Sequence, residues 1–275
     1  MEQIVRDTLF AVVVWYHPTE QQKNNILSYR NAVREVIIID NTQDNRGVAC
    51  ALNRGIEQAI AKGAGYILTM DQDSRFLHGD IERYIQLCNE CPVPNVGIFA
   101  PVHTDVAHLQ LPVYQEPYAA MMTSGSIFSV DTYRALGSLR EDFFIDLIDD
   151  EYCARAKRYG YRLVTVNGIV LQHQLGLGMQ YNPFFRKQYL DHTPWRYYYM
   201  VRNRLEVIRL YPELASYHKK QLHKFVKRLV LYDSHHKCLK LKYAMLGLWD
   251  YCRHRLGKRV PKQPLRVAGK IASVQ

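Results

Sequence analysis

The sequence lacks the features that mark membrane-spanning and disulfide-stabilised proteins. No run approaches the roughly 18–20 consecutive apolar residues that cross a bilayer, and the N-terminus has no basic region followed by a long apolar one. Six cysteines are scattered over 275 residues, and Cys88 and Cys91 form a lone CxxC without a second pair at zinc spacing. We therefore expect reduced thiols and a cytoplasmic protein.

Several motifs of nucleotide and acyl chemistry are also missing. No GxGxxG follows a predicted strand and no GxxxxGK[ST] occurs, so the dinucleotide-binding and P-loop classes lose their main support. No serine or cysteine lies in a nucleophile elbow. Carboxylates are the residues that remain as candidates for chemistry.

Charge is divided unevenly along the chain. The net charge is +10, but residues 181–275 contain 21 Lys and Arg against 5 Asp and Glu, whereas residues 1–180 contain 15 against 21. This asymmetry predicts an acidic region that could hold cations and a basic region that could meet an anionic surface.

Apolar runs alternate with helical periodicity in the first part of the chain. Buried strands are predicted at 9–16, 36–40, 66–70 and 96–99, with helices between them. Such alternation is typical of the α/β class, with a mainly parallel sheet flanked by helices. After Asn182 and Pro183 the sequence becomes aromatic, basic and helical. We therefore expect a catalytic domain at 1–182 and a helical region at 183–275.

Four side chains fall at the carboxyl ends of predicted strands: Tyr16, Asp40, Asp71 and Asp73. Ligands of open α/β sheets bind at this edge. An isolated Asp-x-Asp is more often a polar turn, but this convergence favours a site in which Asp71 and Asp73 share a hard divalent cation. The cation would stabilise a diphosphate leaving group.

Six further acids lie between residues 141 and 151. One of them could deprotonate an attacking hydroxyl. A cation with diphosphate on one side and a base on the other is the arrangement needed for glycosyl transfer by single displacement with inversion.

The chain resembles the inverting family 2 glycosyltransferases of GT-A fold, and most closely the bacterial rhamnosyltransferases of that family. The resemblance covers about the first 210 residues. It rests on eight motifs in order: VVVWYHP (12–18), IIIDN (37–41), NRGVACALNRGI (45–56), MDQDS (70–74), SGSIFS (124–129), DFFIDLIDDEYC (142–153), LQHQLG (171–176) and RYYYMVRNR (196–204). It implies a Rossmann-like, mainly parallel central sheet with a basic C-terminal helical extension.

The resemblance also implies roles for individual residues at the donor site. Tyr16 would pack on the nucleobase, and Asp40 would accept a hydrogen bond from the pyrimidine N3–H. Asp71 would lie near the ribose and the metal. The remaining nucleotide-sugar contacts would be Arg46, Asn53 and Gln72.

For the metal and the base, the resemblance implies that Asp73 ligates Mn²⁺ or Mg²⁺ directly, with Asp71 beside it. His173 would complete the metal shell, although a hydrogen-bonded structural histidine is an equally good interpretation. Asp149 aligns with the catalytic base, and Asp146 is the second candidate. From the residues alone, Asp149 could instead cap the helix that begins there.

These expectations describe a metal-dependent inverting enzyme that moves L-rhamnose from dTDP-rhamnose to a saccharide acceptor of bacterial surface polysaccharide, O-antigen or capsule. The same chemistry with another UDP- or dTDP-sugar is one alternative. A non-enzymatic basic module that binds polysaccharide or nucleic acid is another. No nucleic-acid-binding motif is present, so we expect no nucleic acid partner.

The basic C-terminal region has three interpretations: a solvated helix face, a surface that binds anionic lipid at the inner face of the cell membrane, and a homodimer contact. Binding to lipid would place the enzyme near a lipid-linked saccharide acceptor. The apolar face expected for it contains Phe225, Leu229 and Tyr232, flanked by Lys224, Lys227 and Arg228.

Overall fold

The central sheet is built from the apolar runs that the sequence predicts as buried strands. The computed structural model describes residues 2–103, 111–173, 179–182, 184, 186–233, 235–259, 266–267 and 270–271. Its strands are β1 Leu9–Trp15, β2 Glu35–Asp40, β3 Tyr66–Asp71, β4 Ser74–Arg75, β5 Val96–Val102, β6 Tyr114–Gln115, β7 Ile127–Ser129, β8 Arg162–Val170, β9 Gln172–His173, β10 Met179–Asn182, β11 Lys187–Leu190, β12 Arg266–Val267 and β13 Lys270–Ile271.

The helices of the described chain lie on the faces of this sheet and in the C-terminal region. They are α1 Glu20–Asn24, α2 Val48–Ala61, α3 Asp80–Glu90, α4 Val130–Leu136, α5 Ile148–Arg158, α6 Arg196–Leu210, α7 Ala215–Leu231 and α8 Lys237–Cys252. Among them, none is both long and apolar enough to span a bilayer.

The main sheet has the strand order β2-β1-β3-β7-β5-β8-β6 within the described residues. β1 is parallel to β2 and β3, and β5 is parallel to β8, whereas β7 runs antiparallel to both of its neighbours. Side chains of β1 alternate between two core clusters, with Phe10 and Val12 on one face and Leu9 and Ala11 on the other. Burial on both faces explains why β1 is a continuous apolar run. The predicted mainly parallel α/β sheet is confirmed.

The carboxyl ends of β1, β2 and β3 lie side by side, as the sequence predicts. In the register of the sheet, Trp15 is paired with Asp40 and Val14 with Asp71. Parallel pairing brings together residues that are far apart in the chain. This edge therefore carries most of the predicted donor-site residues.

The C-terminal helices pack against the sheet and against one another. Val207 of α6 and Tyr211, which follows that helix, belong to the same core cluster as residues of α5. α8 approaches α6 closely at Gly247, where an added Cβ would lie 2.3 Å from the Tyr198 carbonyl oxygen. Tyr197, Tyr198 and Tyr199 are buried. The boundary at 182/183 stays a prediction.

Candidate active site

A group of three metal-ligand side chains lies at the carboxyl end of β3. β4 and β9 pair antiparallel with Ser74 opposite His173, which brings this histidine to the Asp-x-Asp segment. Nδ1 of His173 is 3.9 Å from Asp71 Oδ2 and 3.7 Å from Asp73 Oδ1. One ligand atom from each of the three residues can be chosen so that all lie within 4.8 Å of one another. This donor set suits Mn²⁺, and its two carboxylates suit Mg²⁺.

A chain of hydroxyl groups holds the three ligand residues in place. The Asp71 N–H donates to Ser124 Oγ at 3.0 Å, and Ser124 Oγ donates to Ser74 Oγ at 2.8 Å. Ser74 Oγ lies 2.6 Å from His173 Nδ1, in a hydrogen bond whose direction follows the histidine tautomer. Such outer partners orient metal ligands. Sequence reasoning missed both serines, although each lies inside a quoted motif.

Burial in the cleft changes the ionisation of the two aspartates. It raises the pKa of Asp71 to about 6, against the opposing effect of His173, and it also raises the pKa of Asp73. Carboxylates that are held close together with a raised pKa gain most from a cation, because the cation stabilises their charged form. The electrostatics therefore agree with a metal site.

The Gln72 side chain joins the end of β1 to the Asp-x-Asp segment. Its Oε1 accepts the Tyr16 N–H at 2.7 Å, and its Nε2 donates to the Tyr16 carbonyl at 3.2 Å. Asp40 is exposed at the end of β2, where hydrogen bonds from Thr42 hold its pKa below the ordinary value. An ionised Asp40 can only accept, as the predicted contact with a pyrimidine N3–H requires.

Arg46 and Asn53 occupy different environments. The side chain of Arg46 is exposed. The backbone N–H of Arg46 donates to Asn41 Oδ1 at 3.3 Å, beside the end of β2. Asn53 is buried on α2, where its amide donates to the Leu139 carbonyl and accepts the Leu139 N–H, both at 2.9 Å. Both ends of its amide therefore already have partners within the chain, and the nucleotide contact of Asn53 stays a prediction.

Asp149 lies in the first turn of α5, across the cleft from the metal ligands. The N-cap position belongs to Leu147, which makes no side-chain cap, so the capping interpretation of Asp149 is not supported. Burial, and then the charge of Asp150, raise the pKa of Asp149 to about 8, although the Asp150 N–H donates to it at 3.0 Å. A carboxylate with a raised pKa takes up a proton more readily. Its environment suits a general base.

Asp146 is held in an ion pair with Arg196, the first residue of α6. Arg196 Nε donates to Asp146 Oδ2 at 3.2 Å and Nη2 donates to Oδ1. The charge of Arg196 also acts on Asp71 and Asp149, so it lies between the two halves of the site. Sequence reasoning missed Arg196, although it opens the RYYYMVRNR motif. An ion-paired Asp146 is less available as a base than Asp149.

The loop before α5 has an unusual backbone. Phe144, Asp146 and Leu147 have φ values of 65°, 65° and 62°, a left-handed conformation that costs energy for residues other than glycine. A buried side chain of α6, Asn203, stabilises the loop. It donates to the carbonyl oxygens of Phe143, Ile145 and Asp146 at 3.0, 2.8 and 2.9 Å.

The metal-ligand group and the acids at the start of α5 open into one cleft of about 730 Å³. Six of the predicted site residues line it: Asp71, Gln72, Asp73, Asp146, Asp149 and His173. Tyr16 and Asp40 lie at the neighbouring strand ends, and Asn53 lies in the core. Residues 174–176 of the LQHQLG motif lie outside the described residues.

Comparisons with known proteins were made for the sequence and for the fold. The chain is 24% identical to dTDP-rhamnosyl transferase RfbF of Shigella flexneri, over 74% of this chain and 81% of the relative. GalNAc-T7, in a crystal structure with UDP, GalNAc and Mn²⁺, superposes with a TM-score of 0.50 at 10% identity over 60% of this chain. The match spans 43% of GalNAc-T7, less than half of that protein's length.

Another solved structure, S. aureus TarS, superposes with a TM-score of 0.49 at 12% identity, over 93% of this chain and 49% of its own. No protein-family model matches the chain.

The sheet topology and the superposition on GalNAc-T7 show that the chain has the fold of the GT-A glycosyltransferases. The carboxylate pair at the end of β3 could hold a metal ion in this fold. Among such enzymes the chain resembles the bacterial rhamnosyltransferases, and the curated relative confirms the resemblance that its motifs indicate.

The raised pKa of Asp149 predicts a pH-dependent effect on stability. With a pKa of about 8 in the folded protein and about 4 in the unfolded chain, the folded state binds the extra proton between these values. The contribution of Asp149 to the free energy of unfolding is therefore fully present below about pH 4 and is lost as the pH rises to about 8. Asparagine does not titrate in this range, so the Asp149→Asn variant does not lose this stability. The difference between its Tm and the wild-type Tm should therefore increase by several degrees from about pH 5 to about pH 9.

Thermal unfolding across this pH range measures the effect. Asp131→Asn is the control because that carboxylate is 93% exposed, and its Tm should follow the wild-type profile. Parallel profiles for wild type and Asp149→Asn would show that Asp149 titrates at an ordinary pKa.

Proposed function

We propose that the protein transfers L-rhamnose from dTDP-rhamnose, with inversion at C1, to a hydroxyl group of a saccharide acceptor used in bacterial surface polysaccharide. The observation that carries this proposal is a single cleft with a metal-ligand group, Asp71, Asp73 and His173, and a half-buried carboxylate of raised pKa, Asp149. The name of the Shigella relative supports the choice of donor.

The proposed reaction assigns one task to each part of the cleft. Mn²⁺ or Mg²⁺ bound at Asp71, Asp73 and His173 would offset the charge of the departing diphosphate. Asp149 takes the proton of the acceptor hydroxyl while the oxygen of that hydroxyl attacks C1 from the face opposite the diphosphate. The bond from C1 to the phosphate oxygen breaks as the new glycosidic bond forms, and its electron pair leaves with dTDP. Arg196 keeps Asp146 ion-paired.

The ends of β1 and β2 would receive the nucleobase. In this proposal Tyr16 packs on the ring, and the ionised Asp40 accepts the N3–H that thymine and uracil share. Arg46 lies beside the same strand end, because its backbone N–H donates to the side chain of Asn41, the residue after Asp40. This contact selects a pyrimidine without distinguishing thymine from uracil, so donors of both kinds belong in the test.

The first test is turnover of a panel of UDP- and dTDP-sugars with Mn²⁺, with Mg²⁺ and with EDTA. We expect dTDP-rhamnose to be the best donor and EDTA to abolish transfer, because the diphosphate then leaves without a counter-charge. Asp73→Asn should raise the metal concentration required for half-maximal rate by at least about tenfold. Full activity in EDTA would contradict the metal role, and faster turnover of another sugar would assign a different donor.

The second test compares Asp149→Asn with Asp146→Asn. Loss of a general base lowers kcat by about 10²–10⁴-fold, so Asp149→Asn should lose kcat while its Kd for dTDP stays unchanged. Asp131→Asn is the control, because it removes an exposed first-turn carboxylate of α4 that does not line the cleft, and it should retain most of the activity. An active Asp149→Asn enzyme would transfer the role of base to Asp146.

We further propose that α8 contacts the anionic membrane surface that would present a lipid-linked acceptor. The face predicted for this role on α7 is partly internal, because Leu229 is 1% exposed and the Phe225 ring packs 5.2 Å from that of Tyr197. On α8, by contrast, Met245, Leu248 and Trp249 share one face and are 70%, 48% and 54% exposed.

Basic side chains surround this apolar face of α8. Lys242 is exposed, and the Arg253 guanidinium lies 4.1 Å from the centre of the Trp249 ring. Exposed tryptophan, leucine and methionine with flanking cations are typical of helices that lie in a lipid interface. The excess of Lys and Arg in residues 181–275 supports the same partner.

Liposome flotation tests this surface. The protein should float with anionic vesicles at low salt, and less at high salt, because screening weakens the attraction. Trp249→Ser should reduce the bound fraction several-fold, whereas Tyr159→Ser, at another exposed aromatic residue, should not. Equal recovery with neutral vesicles would contradict the proposal. A dimer in light scattering that Trp249→Ser dissociates would assign the face to a second copy of the chain.

A further inference from the structure

One face of α7 forms a basic wall of the cleft. Gln221, Lys224, Phe225 and Arg228 follow helical spacing and all line the cleft that contains Asp71 and Asp149. The guanidinium of Arg228 lies 5.4 Å from the centre of the Phe225 ring, which itself packs on Tyr197. These ring contacts hold the cation against the cleft.

Buried polar atoms without partners lie at the Arg228 end of this wall. Among the described residues, Arg228 Nε, His192 Nδ1 and Thr193 Oγ1 are buried and have no hydrogen-bond partner. Such groups are rare in folded proteins because each costs desolvation energy. His192 lines the same cleft, and its burial lowers its pKa to about 4, so the ring is neutral near pH 7. The unsatisfied atoms indicate that a polar ligand completes the site.

A buried ion-pair network fixes both segments that form this end of the wall. Lys240 Nζ donates to Asp191 Oδ1 at 2.6 Å and to Asp233 Oδ1 at 2.7 Å. Asp191 directly precedes His192, and Asp233 follows the end of α7. The Tyr197 hydroxyl also donates to Asp233 at 2.8 Å. The wall is therefore preorganised by contacts remote from the cleft.

We propose that Arg228 and Lys224, with His192, bind a phosphoryl group on the wall formed by α7. Guanidinium and ammonium groups donate charge-assisted hydrogen bonds to phosphoryl oxygens. The carboxylates of the other walls repel an anion, so its favourable position is beside α7. The proposal rests on the proposed glycosyl transfer for its setting, and the phosphoryl group belongs either to the donor diphosphate or to the acceptor.

Calorimetric binding of inorganic pyrophosphate in the presence of EDTA tests the site without metal or turnover. Wild type should bind it, and Arg228→Gln should bind at least about tenfold more weakly, the usual loss for one charge-assisted contact. Lys224→Gln should show a smaller loss because Lys224 is more exposed. Lys227→Gln, on the exposed side of the same helix, is the matched control and should bind like wild type.

The result does not depend on the donor sugar, so failed transfer of rhamnose and a failed phosphoryl site are distinguishable. Equal pyrophosphate affinity in wild type and Arg228→Gln, with unchanged Tm, would overturn the proposal. So would an absence of binding by wild type.

Two further measurements identify the source of the phosphoryl group. Weaker binding of dTDP by Arg228→Gln, with dTMP affinity retained, assigns the β-phosphate of the donor. A KM that rises for a phosphorylated acceptor and not for its unphosphorylated analogue assigns the acceptor. If neither quantity changes, the wall does not bind a substrate phosphate and the proposal fails.

Discussion

The catalytic side of the cleft depends on two adjacent buried polar residues of α6, Arg202 and Asn203. Asn203 holds the carbonyl groups of the left-handed loop, and Arg202 Nη2 donates to the Asp142 and Phe143 carbonyls at 3.1 Å. A buried guanidinium is costly unless its charge is compensated. Here the rings of Tyr198 and Tyr199 lie about 5 Å from it. The aromatic and basic composition of α6 therefore supports the position of the loop that carries Asp146 and leads to Asp149.

The same dependence explains why the C-terminal helices belong to the site. α6 supplies Arg196 between the metal ligands and Asp149. α7 supplies the basic wall, and α8 anchors α6 through the close contact at Gly247. Residues after 182 thus complete a cleft that the sheet alone would leave open on one side.

Opposite charges in the cleft are separated between its walls. Asp71, Asp73 and Asp149 have raised pKa values chiefly because the cleft desolvates their carboxylates. Cations of α6 and α7 line the same cleft, and Arg196 among them is ion-paired with Asp146 and not with these three aspartates. A metal ion and phosphoryl groups would neutralise both walls at once, which couples donor binding to the ionisation of the proposed base.

The sequence by itself determined the α/β sheet and the convergence of Asp40, Asp71 and Asp73, because continuous apolar runs, the helical periodicity between them and the polar residues at their ends are local features of the residue pattern. Only the tertiary structure placed His173 beside Asp73, buried Asn53, turned Leu229 inward, and separated Asp149 from an Asp146 held by Arg196. Each of these outcomes depends on neighbours remote in sequence, since burial and ion pairing are set by three-dimensional contacts and not by spacing along the chain.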